Sequence, residues 1–207
     1  MFPLGSVLLP HMPLPLRVFE PRYLQLLADI LPSEPAEFGV ALIERGFEVG
    51  GGDARFPIGT IAQVAEVGSD EGSVVLLARG ARRIRIVRWL DEDPYPRAET
   101  DDVTELEWDE SLGDRLAEVD AEVRRALALA SEYLELPWSA DIELNADPVQ
   151  HAWQLAGIAP LGPLDQLSLL ASQSVAELLE STSRCTAEAL ETLRYRVEGA
   201  DGDLPGA

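Results

Sequence analysis

The chain of 207 residues carries 37 carboxylates against 16 basic residues, a formal net charge of −21, and is 46% hydrophobic. That apolar content builds a real core and excludes a disordered chain, while the charge repels nucleic acid and anionic membranes unless a local basic patch intervenes. All 16 basic residues are arginines, and the absence of lysine excludes Schiff-base chemistry, a Ser–Lys dyad and a lysine-bearing phosphate loop.

In chain order, Phe2 to Leu9 reads as a first strand closed by Pro10. The stretch Leu14-Pro-Leu-Arg-Val-Phe-Glu-Pro-Arg-Tyr23 follows. Pro15 cannot donate to a central ladder, so Leu14 to Val18 should run along an edge or a loop. Pro21 suits the first turn of a helix, and Glu20 before it faces the positive end of the helix dipole. That helix should reach Leu31, with Tyr23, Leu24, Leu27, Ile30 and Leu31 as its buried stripe. Arg17, Glu20, Arg22 and Tyr23 therefore fall together where strand becomes helix. They are candidate binding residues, although mutual pairing of the three charges, with Phe19 and Tyr23 anchoring the helix, is the favoured role.

Phe38 to Glu44 reads as a buried strand, and the glycines at 46 and 50–52 as a mobile hairpin loop rather than a phosphate cradle, because strand signals follow them. Ile58 to Val67 and Val74 to Leu77 form a hairpin about a turn at Ser69–Gly72. Arg79-Gly-Ala81 should break the second arm before Arg82 to Leu90 resumes it. Arg79, Arg82, Arg83, Arg85, Arg88 and Arg97 make this the basic stretch of the protein. A solvated strand face that pairs with nearby carboxylates outweighs an RNA strip, which wants interleaved aromatics beyond Trp89 and Tyr95.

Asp91 to Glu110 holds ten carboxylates against one arginine, and the apolar period changes there from two to about 3.6. It reads as a solvated acidic hinge, without the spacing of a calcium loop. The expected division is 1–105, 106–200 and a flexible tail, 201–207. Ser111 should cap a long amphipathic helix of about 24 residues with Leu112, Leu116, Val119, Val123, Leu127, Ala130 and Leu134 on one side, ended by Pro137. Asp147-Pro148 should open a third helix, Leu164 to Leu170 a fourth and Val175 to Val197 a fifth.

No catalytic constellation emerges. His11 and His151 lack metal-binding spacing, no serine sits in a nucleophile elbow, and the single Cys185 reads as a small core residue. No metal or cofactor is expected. The N-terminus lacks the pattern of a signal peptide, and no apolar run approaches the ~18 residues needed to span a bilayer, so a cytoplasmic protein without a membrane segment is expected.

Phe2-Pro-Leu-Gly-Ser-Val-Leu-Leu-Pro10, Leu14 to Tyr23, Phe38-Gly-Val-Ala-Leu-Ile43, Phe56-Pro-Ile-Gly59 and Gly80-Ala-Arg-Arg-Ile-Arg-Ile86 together resemble the substrate-binding N-terminal domain of Lon proteases. Ala159-Pro-Leu-Gly-Pro-Leu-Asp-Gln-Leu-Ser-Leu-Leu170 resembles its helical half less specifically. The resemblance implies an α+β fold: a PUA-like β-barrel with an early inserted helix, then a C-terminal helical bundle. It also implies a stand-alone, non-enzymatic relative that binds unfolded or degron-bearing polypeptides or serves as a quality-control adaptor. The alternative it leaves is RNA contact through the Arg82–Arg88 strand, with Arg83 and Arg85 as binding candidates. A third is an undetected small-molecule or enzymatic pocket near Arg17 and Tyr23.

Overall fold

The computed structural model describes residues 1–43, 56–70 and 73–201, with side chains to residue 196. The expected glycine loop, the tip of the expected hairpin turn and residues 202–207 lie outside the described residues. The chain divides into two compact units, Met1–Glu105 with Gln166–Ala171, and Leu106–Asp165 with the residues from Ser172 on.

Among the described residues, the first unit is a mixed sheet with one early helix and the end of a later one. Its strands are β1 (Phe2–Leu4), β2 (Pro13–Val18), β3 (Glu37–Leu42), β4 (Ile58–Asp70), β5 (Ser73–Trp89) and β6 (Ala98–Asp102), and α1 (Pro21–Ile30) lies between β2 and β3. The order is β1-β3-β4-β5-β2, with β6 also on β5. Among the described residues, only the β1–β3 pair is parallel. Long β5 pairs with β4 along one side; on the other, β2 takes its first half and β6 its second. Two prolines are tolerated in β2 because it is an edge strand. Tyr23 stacks on Phe2 with ring centroids 4.0 Å apart, and Tyr23, Leu26 and Leu27 bury α1 against the sheet. Leu24, Ile30 and Leu31 are less buried than the periodicity suggested.

Three expectations change here. The first strand stops at Leu4 rather than Leu9, and a turn follows further on: Met12 N donates to Leu9 O, with Pro10 and a left-handed His11 (φ 64°) in the central positions. That is the type II arrangement, proline then positive φ. Gly80 does not break β5 but lies within it, hydrogen-bonded to His11 and Met12. A Cβ there would meet Leu9 O at 2.3 Å, so glycine marks a close crossing of backbone. The acidic hinge contains a strand, β6, whose carboxylates face arginines across the ladder, Arg85 opposite Asp101 among them.

The second unit is helical. A 3-10 turn at Glu110–Leu112 leads into α2 (Gly113–Ala130), followed by α3 (Pro148–Ile158), α4 (Pro163–Leu170) and α5 (Val175–Asp201). The division between the units falls within α4. Asp109, not Ser111, caps the entry to α2, accepting Ser111 N at 2.9 Å. Asp147 caps α3 as expected, accepting Gln150 N. Val119, Val123, Leu127 and Ala130 of α2 are buried with Trp153 and Leu155 of α3 and with Leu178, Leu179 and Cys185 of α5. The second helix ends at Ala130, four residues before Leu134, where Tyr133 N and Leu134 N both bond back to Ala130 O. Leu134 is consequently 49% exposed rather than part of the stripe.

Candidate functional site

The candidates at the β2–α1 junction do not gather on one pocket. Arg17 Nη1 lies 3.1 Å from Asp70, and its Nε donates to Ser73 Oγ at 3.3 Å, so it ties β2 to the β4–β5 hairpin. Arg22 Nε donates to Glu20 at 3.0 Å and its guanidinium sits 4.7 Å over the Tyr23 ring, with Glu92 at 3.9 Å. Glu20, Arg22 and Tyr23 thus form one group and Arg17 belongs to another. Tyr23 is buried. Phe19, expected as an anchor, is 68% exposed.

The arginines of β5 separate just as sharply. Arg83, expected on an outward strand face, is 1% exposed. Its Nη1 donates to Leu170 O at 3.1 Å and its Nη2 to Thr104 O at 2.6 Å. Leu170 ends α4, so the cation also meets the negative pole of that helix. Burial lowers its pKa from the ordinary arginine value, opposed by Glu105. Arg82 joins Glu37 of β3 at 2.8 Å and Asp102 of β6 at 3.1 Å, and the hydrogen bond to Glu37 foremost raises its pKa. Arg88 pairs with Glu99. Arg85 is exposed and makes no ion pair among the described residues. Within the basic stretch, Arg82 and Arg88 are thus paired with acids brought by β3 and β6, and Arg83 is withdrawn from the surface.

A larger concavity lies within the helical unit. A cleft of about 680 Å³ is lined by Tyr133 and Leu134 after α2, by Pro160, Gly162 and Asp165 at the start of α4, and by α5. Ala189, Thr192, Leu193 and Arg196 form much of the α5 side. Cys185 also lines it, its thiol buried and its pKa raised by that burial. This unit exposes Leu129, Tyr133, Leu134, Leu164 and Tyr195. The cleft is not legible in the chain order. Its one signal was an apolar run past Ala130 longer than the observed helix buries.

The same unit holds a polar clamp. His151 Nε2 is 2.7 Å from Asp120 Oδ2 and its Nδ1 is 3.1 Å from Asn145 O. Arg124 Nε reaches the other oxygen of Asp120, while its Nη1 donates to Ala140 O and Ile142 O. Burial raises the Asp120 pKa, but hydrogen bonds from Arg124 and His151 outweigh it and hold the carboxyl below its ordinary value. His151, expected as an ordinary surface or capping residue, instead pins the segment between α2 and α3. No group of metal-ligating side chains occurs among the described residues.

A mixed sheet with an early helix and a helical unit make this an α+β chain, and comparison with known proteins places it in a family. The ATP-dependent protease La (LON) substrate-binding domain family matches residues 1–186; the chain belongs to this family. A Lon protease of Desulfosudis oleivorans is 32% identical over 108 residues, covering 49% of this chain and 13% of the relative. The matched stretch is thus about an eighth of that relative's length. The crystal structure of a Lon N-terminal domain protein from Xanthomonas campestris superposes with a TM-score of 0.62 at 28% identity, covering 86% of this chain and 92% of that one. The N-terminal domain of a Mycobacterium avium complex Lon protease shares the fold, with a TM-score of 0.61 at 20% identity over 89% and 96% of the two chains. Among the described residues, no helix is long and apolar enough to cross a membrane.

Proposed function

We propose that this chain is a non-enzymatic binding module for polypeptides, taking unfolded or degron-bearing segments or acting as a quality-control adaptor in the cytoplasm. The observation that carries this reading is the cleft of the helical unit: about 680 Å³, flanked by exposed Tyr133 and Leu134, in a family defined by substrate binding. Its size falls within the usual range for ligand sites, and its apolar wall suits side chains that an unfolded polypeptide exposes. The sheet unit is read as a curled, PUA-like barrel, supported by the Met1 nitrogen donating at 2.7 Å to Pro96 O just before β6. The helical unit is its accompanying bundle. What weighs against RNA contact through β5 is the engagement of Arg82 and Arg88 by carboxylates and of Arg83 by buried carbonyls. Arg85 and the exposed Arg17 and Arg22 remain as proposed secondary contacts, beside Glu20 and Tyr23.

Reduced, carboxymethylated lactalbumin, a permanently unfolded polypeptide, supplies the test. The protein should capture it on a size-exclusion column and delay aggregation of a heat-denatured reporter. The paired substitutions Tyr133→Ser and Leu134→Ser should cost about tenfold in affinity, the loss expected when two apolar anchors are removed. Equal capture by the double variant would move the site away from the cleft. No capture by the parent would end the polypeptide reading.

A further inference from the structure

We propose that the helical-unit cleft selects polypeptide segments that combine apolar anchors with basic side chains, an inference that rests on the polypeptide-binding reading above. Two independent features meet here. The walls supply apolar surface through Leu134, Ala189 and Leu193. The unit around them is strongly acidic: residues 106–165 and 172–207 hold twenty carboxylates against six arginines.

Two of those carboxylates, Asp165 and Glu188, line the cleft itself, with Arg196 the only cation lining it among the described residues. Glu188 pairs with Arg184 at 3.1 Å, but both side chains are more than half exposed. Such a pair is weak and exchanges readily for a ligand cation. The remaining acids add a field of one sign, which raises the local concentration of cationic ligands and speeds their encounter. The same field turns away a second copy of this chain, which carries −21, along with nucleic acids and anionic lipid. A neutral apolar segment would fill the walls and draw nothing from the acidic field. A purely basic one would draw on the field and leave the walls wet. Only the combination uses both.

Four labelled synthetic peptides of equal length test this by fluorescence anisotropy with the full chain: leucine with arginine, leucine with glutamate, leucine with serine, and arginine with serine. The leucine–arginine peptide should bind about tenfold more tightly than the leucine–glutamate one at low salt, and that lead should shrink in high salt as the Debye length contracts. Thr192→Trp, on the exposed α5 wall, should block binding. Asp165→Asn with Glu188→Gln should narrow the charge preference several-fold, with denaturation midpoints confirming that both variants fold. Equal binding of the arginine and glutamate peptides overturns the charge selection while leaving polypeptide binding intact. Tight binding of the arginine–serine peptide, or indifference to Thr192→Trp, removes the cleft from the account. If neither the peptides nor unfolded lactalbumin bind, the polypeptide reading falls with it.

Discussion

The sheet unit and the helical unit handle charge in opposite ways. Residues 1–105 and 166–171 hold ten arginines against seventeen carboxylates, and the helical residues hold six against twenty. In the sheet, several arginines act as cross-strand fasteners: Arg17 to the β4–β5 hairpin, Arg82 between β3 and β6, and Arg88 to β6. In the helices, Arg115 and Arg124 are likewise engaged, yet twenty acids there share six arginines. An acidic composition thus serves two purposes in one chain. Where arginines are available, charge fixes strand register; where they are scarce, charge becomes an external field.

The sharpest way to break that contrast lies within β5, at two residues one position apart from being neighbours. Arg83→Met removes a buried cation and strands the carbonyls of Leu170 and Thr104. The expected loss is about 3 kcal/mol, because buried polar groups pay their desolvation when a partner vanishes. Arg85→Met, on the exposed side, should change stability by no more than about 0.5 kcal/mol. Urea midpoints at unchanged slope measure both. If the two variants proved equal, the fastening role assigned to β5 would fail.

In the helical unit, the Asp120 clamp is the place where charge does act internally. Asp120→Asn should cost about 1 kcal/mol at pH 7, the scale of one charge-assisted hydrogen bond partly lost. The sign of its pH dependence follows from the depressed carboxyl pKa. A carboxylate more acidic when folded stabilises the fold above its unfolded value, about 3.9, and loses that contribution as pH falls through the folded value. The gap between parent and variant should therefore be full at neutral pH and close in acid. A gap that widened on acidification would show that Asp120 stabilises the segment by some other route.

Much of the framework was legible because local rules agreed with one another. Pro21 and Asp147-Pro148 placed two helix starts, and the edge prolines placed β2. The failures have a common cause: they depend on what comes near in space. Gly80 looks like a break until Leu9 O is found 2.3 Å from where its Cβ would stand. Arg83 obeys strand alternation on paper, but β5 buries both it and Ile84 where the register with β4 shifts. An acidic strand such as β6 is unreadable without the arginines opposite it. The motif at Leu14–Tyr23 marked the family yet not the cleft, since the cleft is built from α5 and two connections whose sequence patterns are ordinary.

The smallest expected effect is also the most direct measure of a fastener. Arg82 and Glu37 lie 2.8 Å apart, with side chains 40% and 23% exposed. Water screens a pair this open, so a double-mutant cycle with Arg82→Ala and Glu37→Ala should return a coupling of about 0.5 kcal/mol. Asp102 shares the same guanidinium at 3.1 Å, so removing it first should raise rather than lower the Arg82–Glu37 coupling, because the cation then has one acceptor to favour. Salt should weaken that coupling. A coupling near zero with Asp102 present and absent would reduce Arg82 to a solvated side chain, and the register of β3, β4, β5 and β6 would then rest on backbone bonds and apolar packing alone.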